Sequence, residues 1–496
     1  MKYLGGRRGQ DLAPPESGPR PASLIEHGKR GESCTEALDS AVHRLRRGIA
    51  LRLWDPLYWD LIKRSHCRAY LREFRTLQFQ SETESAVRQR LALARVLKHA
   101  SARIPFYQGL DLPSQEDIGV DPLAALRAFP RLGKDRVVAD LDSLHVEMGL
   151  GTFTNASGGS TGTPVRILQD RVYLDNSLAA EALFLEWAGL PPRARLVSLW
   201  GAPRDLGGQR VSLRRRIGDW FANRLTLNAF EMQPAVLRDY LAQLHRFRPQ
   251  GLMGYADGLD QLARYCQEQG LQPPSPVAVI SAASTLTADM RARLQAVFEC
   301  PVFDRYGTRE VGAIAMECEQ HEGLHVLTEV AHVEVVDDAG NEVQMGQEGE
   351  LLITTLRNFT MPLIRYRVGD RALRGAGDCP CGRPYPRIAK LLGRNEACFK
   401  TAVGGRVLPE FFIHLIGKEH NYGDVRKFQF VQQSLTHVVL RLELMPGVQP
   451  RILADEGLIT AKIKQAMGDS CRVVFERVES IPPTPTGKHL YTICRI

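Results

Sequence analysis

The sequence has no apolar run approaching the ~20 residues that a membrane-crossing helix needs, so membrane insertion is not expected. Its opening, Met1 to about Ser33, lacks the apolar core of a secretory signal; it holds Gly5-Gly6, four prolines and scattered charges. Residues 1–34 are expected to form a disordered tail, and the default location is cytoplasmic. A dense basic stripe with interleaved aromatics is also missing. The 64 basic residues exceed the 56 acidic ones by a net +8, but the excess is spread along the chain, and Arg214-Arg215-Arg216 stands isolated. Nucleic-acid binding is therefore not expected. No Ser-His-Asp or Cys-His arrangement stands out, which argues against an enzyme nucleophile. Most of the ten cysteines are expected as reduced thiols in a cytosolic chain, with Cys318, Cys379 and Cys381 singled out as exceptions.

What remains is a chain of 496 residues, 44% hydrophobic and 24% charged, enough for a large domain and a smaller second one. From Leu51 to about Leu110 apolar residues recur at helical spacing. A helix is expected at Val172 to Trp187 and another at Leu259 to Gln269. Buried strands are expected at Arg195 to Gly201 and Val277 to Ala283. That alternation argues for α/β layers. Near the C-terminus, Phe428 to Val431 and Val438 to Leu442 read as strands and Ile452 to Met467 as a helix.

The run Asn155-Ala156-Ser157-Gly158-Gly159-Ser160-Thr161-Gly162-Thr163-Pro164 lies between two β-rich segments. Glycines without a Cβ let the backbone turn tightly and approach a bulky anion. Amide groups and the hydroxyls of Ser157, Ser160 and Thr161 would then face phosphate oxygens. A Walker A loop is excluded, because Gly162 is followed by Thr163-Pro164 and not by Lys-Ser or Lys-Thr. A dinucleotide fingerprint is excluded too, since this loop leads into a strand and not a helix.

That run resembles the phosphate loop of the adenylate-forming superfamily, and its Gly-Gly-Ser-Thr-Gly-Thr-Pro form is most similar to the phenylacetate-CoA ligase and CapK-like branch. Further segments match in the expected order. Asp304-Arg305-Tyr306-Gly307-Thr308-Arg309-Glu310 resembles the Tyr-Gly-x-x-Glu signature, Arg365-Tyr366-Arg367-Val368-Gly369-Asp370 a ribose motif, Gly393-Arg394-Asn395-Glu396 the domain hinge, and Pro485-Thr486-Gly487-Lys488 the terminal loop. The resemblance covers roughly Leu97 to the C-terminus. It implies a large multi-layer α/β domain over 35–394, with a helical cap at about 51–110, and a small mobile α+β domain over 395–496.

The resemblance also implies roles. Ser157, Gly158, Gly159, Ser160, Thr161 and Gly162 would hold the β- and γ-phosphates of ATP. Tyr306 would stack on adenine, while Gly307 and Thr308 face the α-phosphate. Glu310 would bind Mg²⁺, a hard cation that wants a carboxylate. Asp370 would accept hydrogen bonds from the ribose hydroxyls. Arg394 would touch ribose or phosphate, with Glu396 as the pivot. Lys488 would bond the acid's carboxylate and the α-phosphate, so Lys488, Glu310 and Thr161 carry the catalysis. Trp200, Gly254 and Tyr255 fall near the acid pocket.

Cys318-x2-His321, His325 and Cys379-Pro380-Cys381-Gly382 form a separate constellation. Three thiols and one imidazole complete a tetrahedral structural Zn²⁺ site. Cys318, His321, Cys379 and Cys381 are one such set, and His325 competes with His321 for the fourth position.

The implied reaction is attack of a carboxylate, expected to be an aryl acid, on the α-phosphorus of ATP. Pyrophosphate leaves, an acyl-AMP remains, and an acceptor then takes the acyl group. CoA is the favoured acceptor; a free-standing amide synthetase, which uses an amine, is the alternative. A non-enzymatic nucleotide-binding regulator would have no need of Lys488 and Glu310.

Overall fold

The computed structural model describes residue 48 and residues 64–147, 149, 151–156, 165–200, 218–219, 222–229, 232, 234–394, 398–403, 406–407, 409–482 and 489–496. The expected 1–34 tail lies outside them. Every element below belongs to the contact unit Asp55–Ile496.

The N-terminal helical region breaks where local chemistry dictates. Helix α1 (Cys67–Leu77) stops before Ser81, whose side chain accepts from the Glu84 amide while Glu84 reaches back to the Ser81 amide. That reciprocal cap starts helix α2 (Glu82–Arg103). Leu93, Val96, Leu97 and Ala100 recur along one stripe of α2, and all four are buried. Pro105 then opens a separate short turn, Pro105–Gln108.

Strands β1 (Phe153–Ala156) and β2 (Arg166–Gln169) pair antiparallel as a hairpin. Helix α3 (Arg171–Trp187) follows, capped by Asp170, whose carboxylate also accepts from the amides of Phe359 and Thr360. A parallel half-sheet comes next, built from β3 (Leu196–Trp200), β4 (Arg224–Asn228), β5 (Gly251–Tyr255), β6 (Ala278–Ala282) and β7 (Val302–Thr308). Helices α4 (Pro234–Phe247), α5 (Ala256–Glu268) and α6 (Ala288–Phe298) alternate with these strands.

Alternate residues of each strand enter opposite cores, which is why the strands read as continuous apolar runs. Met253, Ile280 and Phe303 join the cluster containing Leu183, Phe184 and Trp187 of α3. Their chain neighbours Leu252, Val279 and Val302 join the cluster built with Leu241, Leu262 and Leu294 from α4, α5 and α6. The result is helix, sheet, helix.

From β7 onward the pairing turns antiparallel, through β8 (Gly312–Glu317), β9 (Leu324–Val326), β10 (Ala331–Val336), β11 (Glu348–Thr355), β12 (Tyr366–Arg374) and β13 (Arg387–Arg394). Among the described residues the spatial order is β10-β11-β12-β13-β9-β8-β7-β6-β5-β3-β4.

A smaller α+β domain closes the chain. The short ladder of β14 (Phe399–Lys400) and β15 (Arg406–Val407) leads into α7 (Pro409–His414). A four-stranded sheet follows, ordered β18-β17-β16-β19, from β16 (Val425–Ser434), β17 (His437–Leu444), β18 (Arg472–Arg477) and β19 (Thr492–Cys494). Helix α8 (Glu456–Met467) packs on it through Ile459 and Ile463 against Phe430, Leu440 and Leu442. The helix expected from Ile452 begins instead as a 3-10 turn, Arg451–Asp455, with the Ile452 amide held by Asp424 at 2.8 Å. No helix among the described residues is long and apolar enough to cross a membrane.

Candidate active site

Tyr306 sits near the end of β7, where parallel pairing gives way to antiparallel. A register shift between Tyr306 and Gly307 interrupts the β7–β8 ladder. Gly307 is required there: a Cβ would lie 2.5 Å from the Gly312 carbonyl oxygen. Gly312 has φ +85°, and a side chain on it would strike Ser177 Oγ and Tyr173 Oη on α3. The turn Arg309–Val311 is thus pressed onto α3 and closed by Thr308 Oγ1, which accepts from the Val311 amide at 3.1 Å.

The Tyr306 hydroxyl donates to Asp370 Oδ2 at 2.8 Å. Asp370 lies on β12, and its register partner on β13 is Arg394. Two residues proposed for the nucleoside, Tyr306 and Asp370, therefore meet across strands far apart in sequence, with the Arg394 backbone opposite Asp370. The two arginines of the Arg365-Tyr366-Arg367 run do other work. Arg365 is buried against Glu334 at 3.1 Å and bonds the carbonyls of Arg127 and Gly340. Arg367 grips Glu350 with two nitrogens. Both hold neighbouring strands and loops in place, so within this run Asp370 is the residue that reaches Tyr306.

Glu310 is buried at the head of the turn. Nearby, burial raises the Tyr173 phenol well above its usual range, with the Glu310 charge adding to it. Asp304, two residues before Tyr306, is a carboxyl that sequence reading gave no role. Burial, reinforced by Glu317, pushes it up to about 7.

Trp200 and Tyr255 end the neighbouring strands β3 and β5, with ring centroids 4.8 Å apart. Gly254 points elsewhere. A Cβ on it would meet Leu199 at 2.8 Å and Leu259 at 3.3 Å, so its bare backbone serves core packing. Ser157, Gly158, Gly159, Ser160, Thr161, Gly162, Glu396 and Lys488 lie outside the described residues, as does the Arg394 side chain.

A second constellation lies between β8, β9 and the loop before β13. Cys318 Sγ is 3.6 Å from Cys379 Sγ, and Cys381 Sγ is 3.5 Å from His325 Nε2. All four ligand atoms fall within 4.8 Å of one another. His325 and not His321 completes the set. His321 turns away at φ +55° and pairs with Glu317 at 3.1 Å. The backbone amides of Gln320 and Arg383 donate to Cys318 and Cys381 sulfur.

Comparison with known proteins agrees with this geometry. Residues 221–360 match the family described as AMP-binding enzyme, and residues 399–495 match the CapK C-terminal domain. Protein CapK of Staphylococcus aureus is 25% identical over 382 residues, covering 75% of this chain and 81% of its own. A phenylacetate-coenzyme A ligase of Thermus thermophilus is 26% identical over 341 residues, covering 64% and 74%. The chain belongs to the adenylate-forming superfamily. It falls in the branch of CapK and the phenylacetate-CoA ligases, and as such is an ATP-dependent, AMP-forming ligase. The fold of this adenylate-forming ligase is shared with a solved 2-hydroxyisobutyryl-CoA ligase, at TM-score 0.62 and 19% identity over 81% of this chain and 87% of that one.

The steric limit at Gly307 in this ligase gives a direct expectation. Gly307→Ala must displace backbone of β8, at a cost of about 1–3 kcal/mol. ATP affinity measured by calorimetry should fall by about tenfold or more while the circular dichroism spectrum stays that of a folded chain. Unchanged affinity would show that the Tyr306 turn does not bind nucleotide.

Proposed function

We propose that the ligase activates an aryl carboxylic acid as its acyl-AMP and transfers the acyl group to CoA. The observation that carries this reading is the 2.8 Å contact of Tyr306 with Asp370, with Glu310 on the turn that follows the strand of Tyr306. It supports a nucleoside held between an aromatic plane and a carboxylate, beside a carboxylate suited to a divalent cation.

In this reading Tyr306 covers adenine, Asp370 accepts from the ribose hydroxyls, and Ser157–Gly162 with Thr161 holds the outer phosphates. Bound Mg²⁺ would be held by Glu310 and would neutralise phosphate charge. Lys488 carries its cation to the carboxylate and α-phosphate, so the rate comes from positioning and charge and not from an enzyme nucleophile. The domain boundary at 394/395 and the pivot at Glu396 belong to the same proposal. A hinge there would let one site adenylate first and admit the acceptor afterwards. The aromatic pair Trp200 and Tyr255 supports an aryl acid, as does the phenylacetate-CoA ligase relative.

Cys318, His325, Cys379 and Cys381 are further proposed to hold a structural Zn²⁺. A tetrahedral ion with sulfur at about 2.3 Å sets two sulfurs roughly 3.8 Å apart. The thiol pair at 3.6 Å and the Cys381–His325 pair at 3.5 Å fit that shape.

The test is ATP–pyrophosphate exchange across aryl and alkyl acids, with each positive then given CoA or an amine. Exchange with one aryl acid, followed by loss of the adenylate to CoA, is expected. An adenylate that survives CoA but forms an amide with an amine would replace the acceptor in this proposal. Absence of exchange with every acid, while ATP still binds, would overturn it.

A further inference from the structure

Three hydrogen bonds tie the β1–β2 hairpin to the turn between β7 and β8. Asn155 Nδ2 donates to the Arg309 carbonyl at 3.1 Å. Gln169 Nε2 donates to that same carbonyl at 3.1 Å and to the Glu310 carbonyl at 3.2 Å. The two amides also meet each other, Asn155 Nδ2 to Gln169 Oε1 at 3.3 Å.

The register explains how they come together. Phe153 pairs with Gln169 and Asn155 with Ile167, so Asn155 and Gln169 are diagonal neighbours on one face of the hairpin. Gln169 is 1% exposed, and a buried amide is tolerated only where its polar atoms are met. Tyr173 and Ser177 of α3 lie directly against Gly312, at the far end of the same turn. Donors from both arms of the hairpin thus converge on two successive carbonyls, Arg309 and Glu310.

Simple packing does not need this arrangement. Elsewhere the same sheet is covered by apolar contacts, as at Ile167 and Leu168. Fixing the peptide planes on both sides of the Glu310 Cα restricts where its carboxylate points. Fixing them from the hairpin ties that direction to the chain ends from which Ser157–Pro164 departs.

We propose that Asn155 and Gln169 are positioning residues that hold the Arg309 and Glu310 carbonyls and so set the direction of the Glu310 carboxylate. The proposal rests on the nucleotide reading of the site. It adds that the metal grip is anchored on the β1–β2 hairpin, through the Arg309 and Glu310 carbonyls.

Calorimetric titration of the full chain with ATP, with and without Mg²⁺, tests it without any knowledge of the acid. Gln169→Met fills a similar volume without donors. The gain in ATP affinity that Mg²⁺ confers is expected to shrink by about tenfold, while metal-free ATP affinity stays within about twofold. Adding Asn155→Ala to Gln169→Met should cost less than the sum of the two single losses, because the two amides share the Arg309 carbonyl. If Gln169→Met does not fold, Asn155→Ala at its half-buried position is read the same way, with a loss of about threefold expected.

A wild-type Mg²⁺ gain in these variants overturns the proposal. So does an equal loss of metal-free and Mg²⁺-bound affinity, which marks general damage. A wild-type chain that binds MgATP but exchanges no pyrophosphate would remove the ligase reading alone, and the Mg²⁺ gain would still decide the roles of Asn155 and Gln169. A wild-type chain with no Mg²⁺ gain removes both.

Discussion

Replacing Lys488 by Ala is expected to abolish acyl-adenylate formation while leaving ATP bound. In the proposed site Tyr306 and Asp370 hold the nucleoside, and their mutual contact is made within the large sheet. The affinity for ATP should therefore change little. Charge at the attacking carboxylate and the α-phosphate has no such redundancy. Removal of a single group that stabilises developing charge typically costs about a hundredfold to a thousandfold in rate. A cation shared between two anions sits at the upper end of that range. Exchange of pyrophosphate into ATP is the measurement, with ATP affinity as the control. The signature is loss of the first at constant second; pyrophosphate release at the wild-type rate would remove Lys488 from the mechanism.

The second large effect concerns the Cys/His cluster. Elemental analysis of the purified chain should find about one zinc per protein, and Cys379→Ser should reduce it to near zero. A structural ion binds only the folded arrangement, so its loss is a loss of folding free energy. The expected destabilisation is on the order of 3 kcal/mol or more, read as a melting shift of roughly 5 °C or more in a chain of this size. Two comparisons separate metal from mere burial. Cys266→Ser changes a buried thiol in the parallel half-sheet core and should leave zinc in place. His325→Ala should release zinc and His321→Ala should not, because only His325 faces the thiols. A metal-free protein, with a melting point indifferent to Cys379→Ser, would end the proposal.

The histidine choice also marks where sequence reading stops. His321 is nearer to Cys318 along the chain, and by spacing alone it and His325 compete for the fourth position. What decides the matter is the pairing of β9 with β13, which sets His325 opposite Arg387 and brings the Cys379–Cys381 loop alongside. A one-dimensional spacing carries no trace of that ladder. By contrast, Tyr306 and Asp370 were each singled out from a short run of unusual residues, and the structure brings the two side chains together.

The α/β layering was legible because strands buried on both faces leave continuous apolar runs between helical periods. Gln169 gave no signal at all. A single amide after a short strand is common, and its value lies in two carbonyls some 140 residues away. Gly254 was read near a pocket, yet its missing Cβ faces Leu199 and Leu259. Sequence reveals that a side chain is absent there but not which way it would have pointed.

The junction at β7 has a consequence for how this protein tolerates damage. On one side lie parallel strands linked by helices; on the other lie antiparallel strands paired in ladders. Tyr306 belongs to the seam, and Asp370 to the antiparallel side. A nucleotide gripped by both is a stitch across the seam, available only once both halves have folded. At a hundredfold excess over its dissociation constant, such a ligand stabilises the native state by about 2.7 kcal/mol. Weakened variants in either half would therefore draw on the same reserve, and the cell's own ATP would act on them as a folding aid. Sequence drift far from the site would be buffered for as long as the stitch can form.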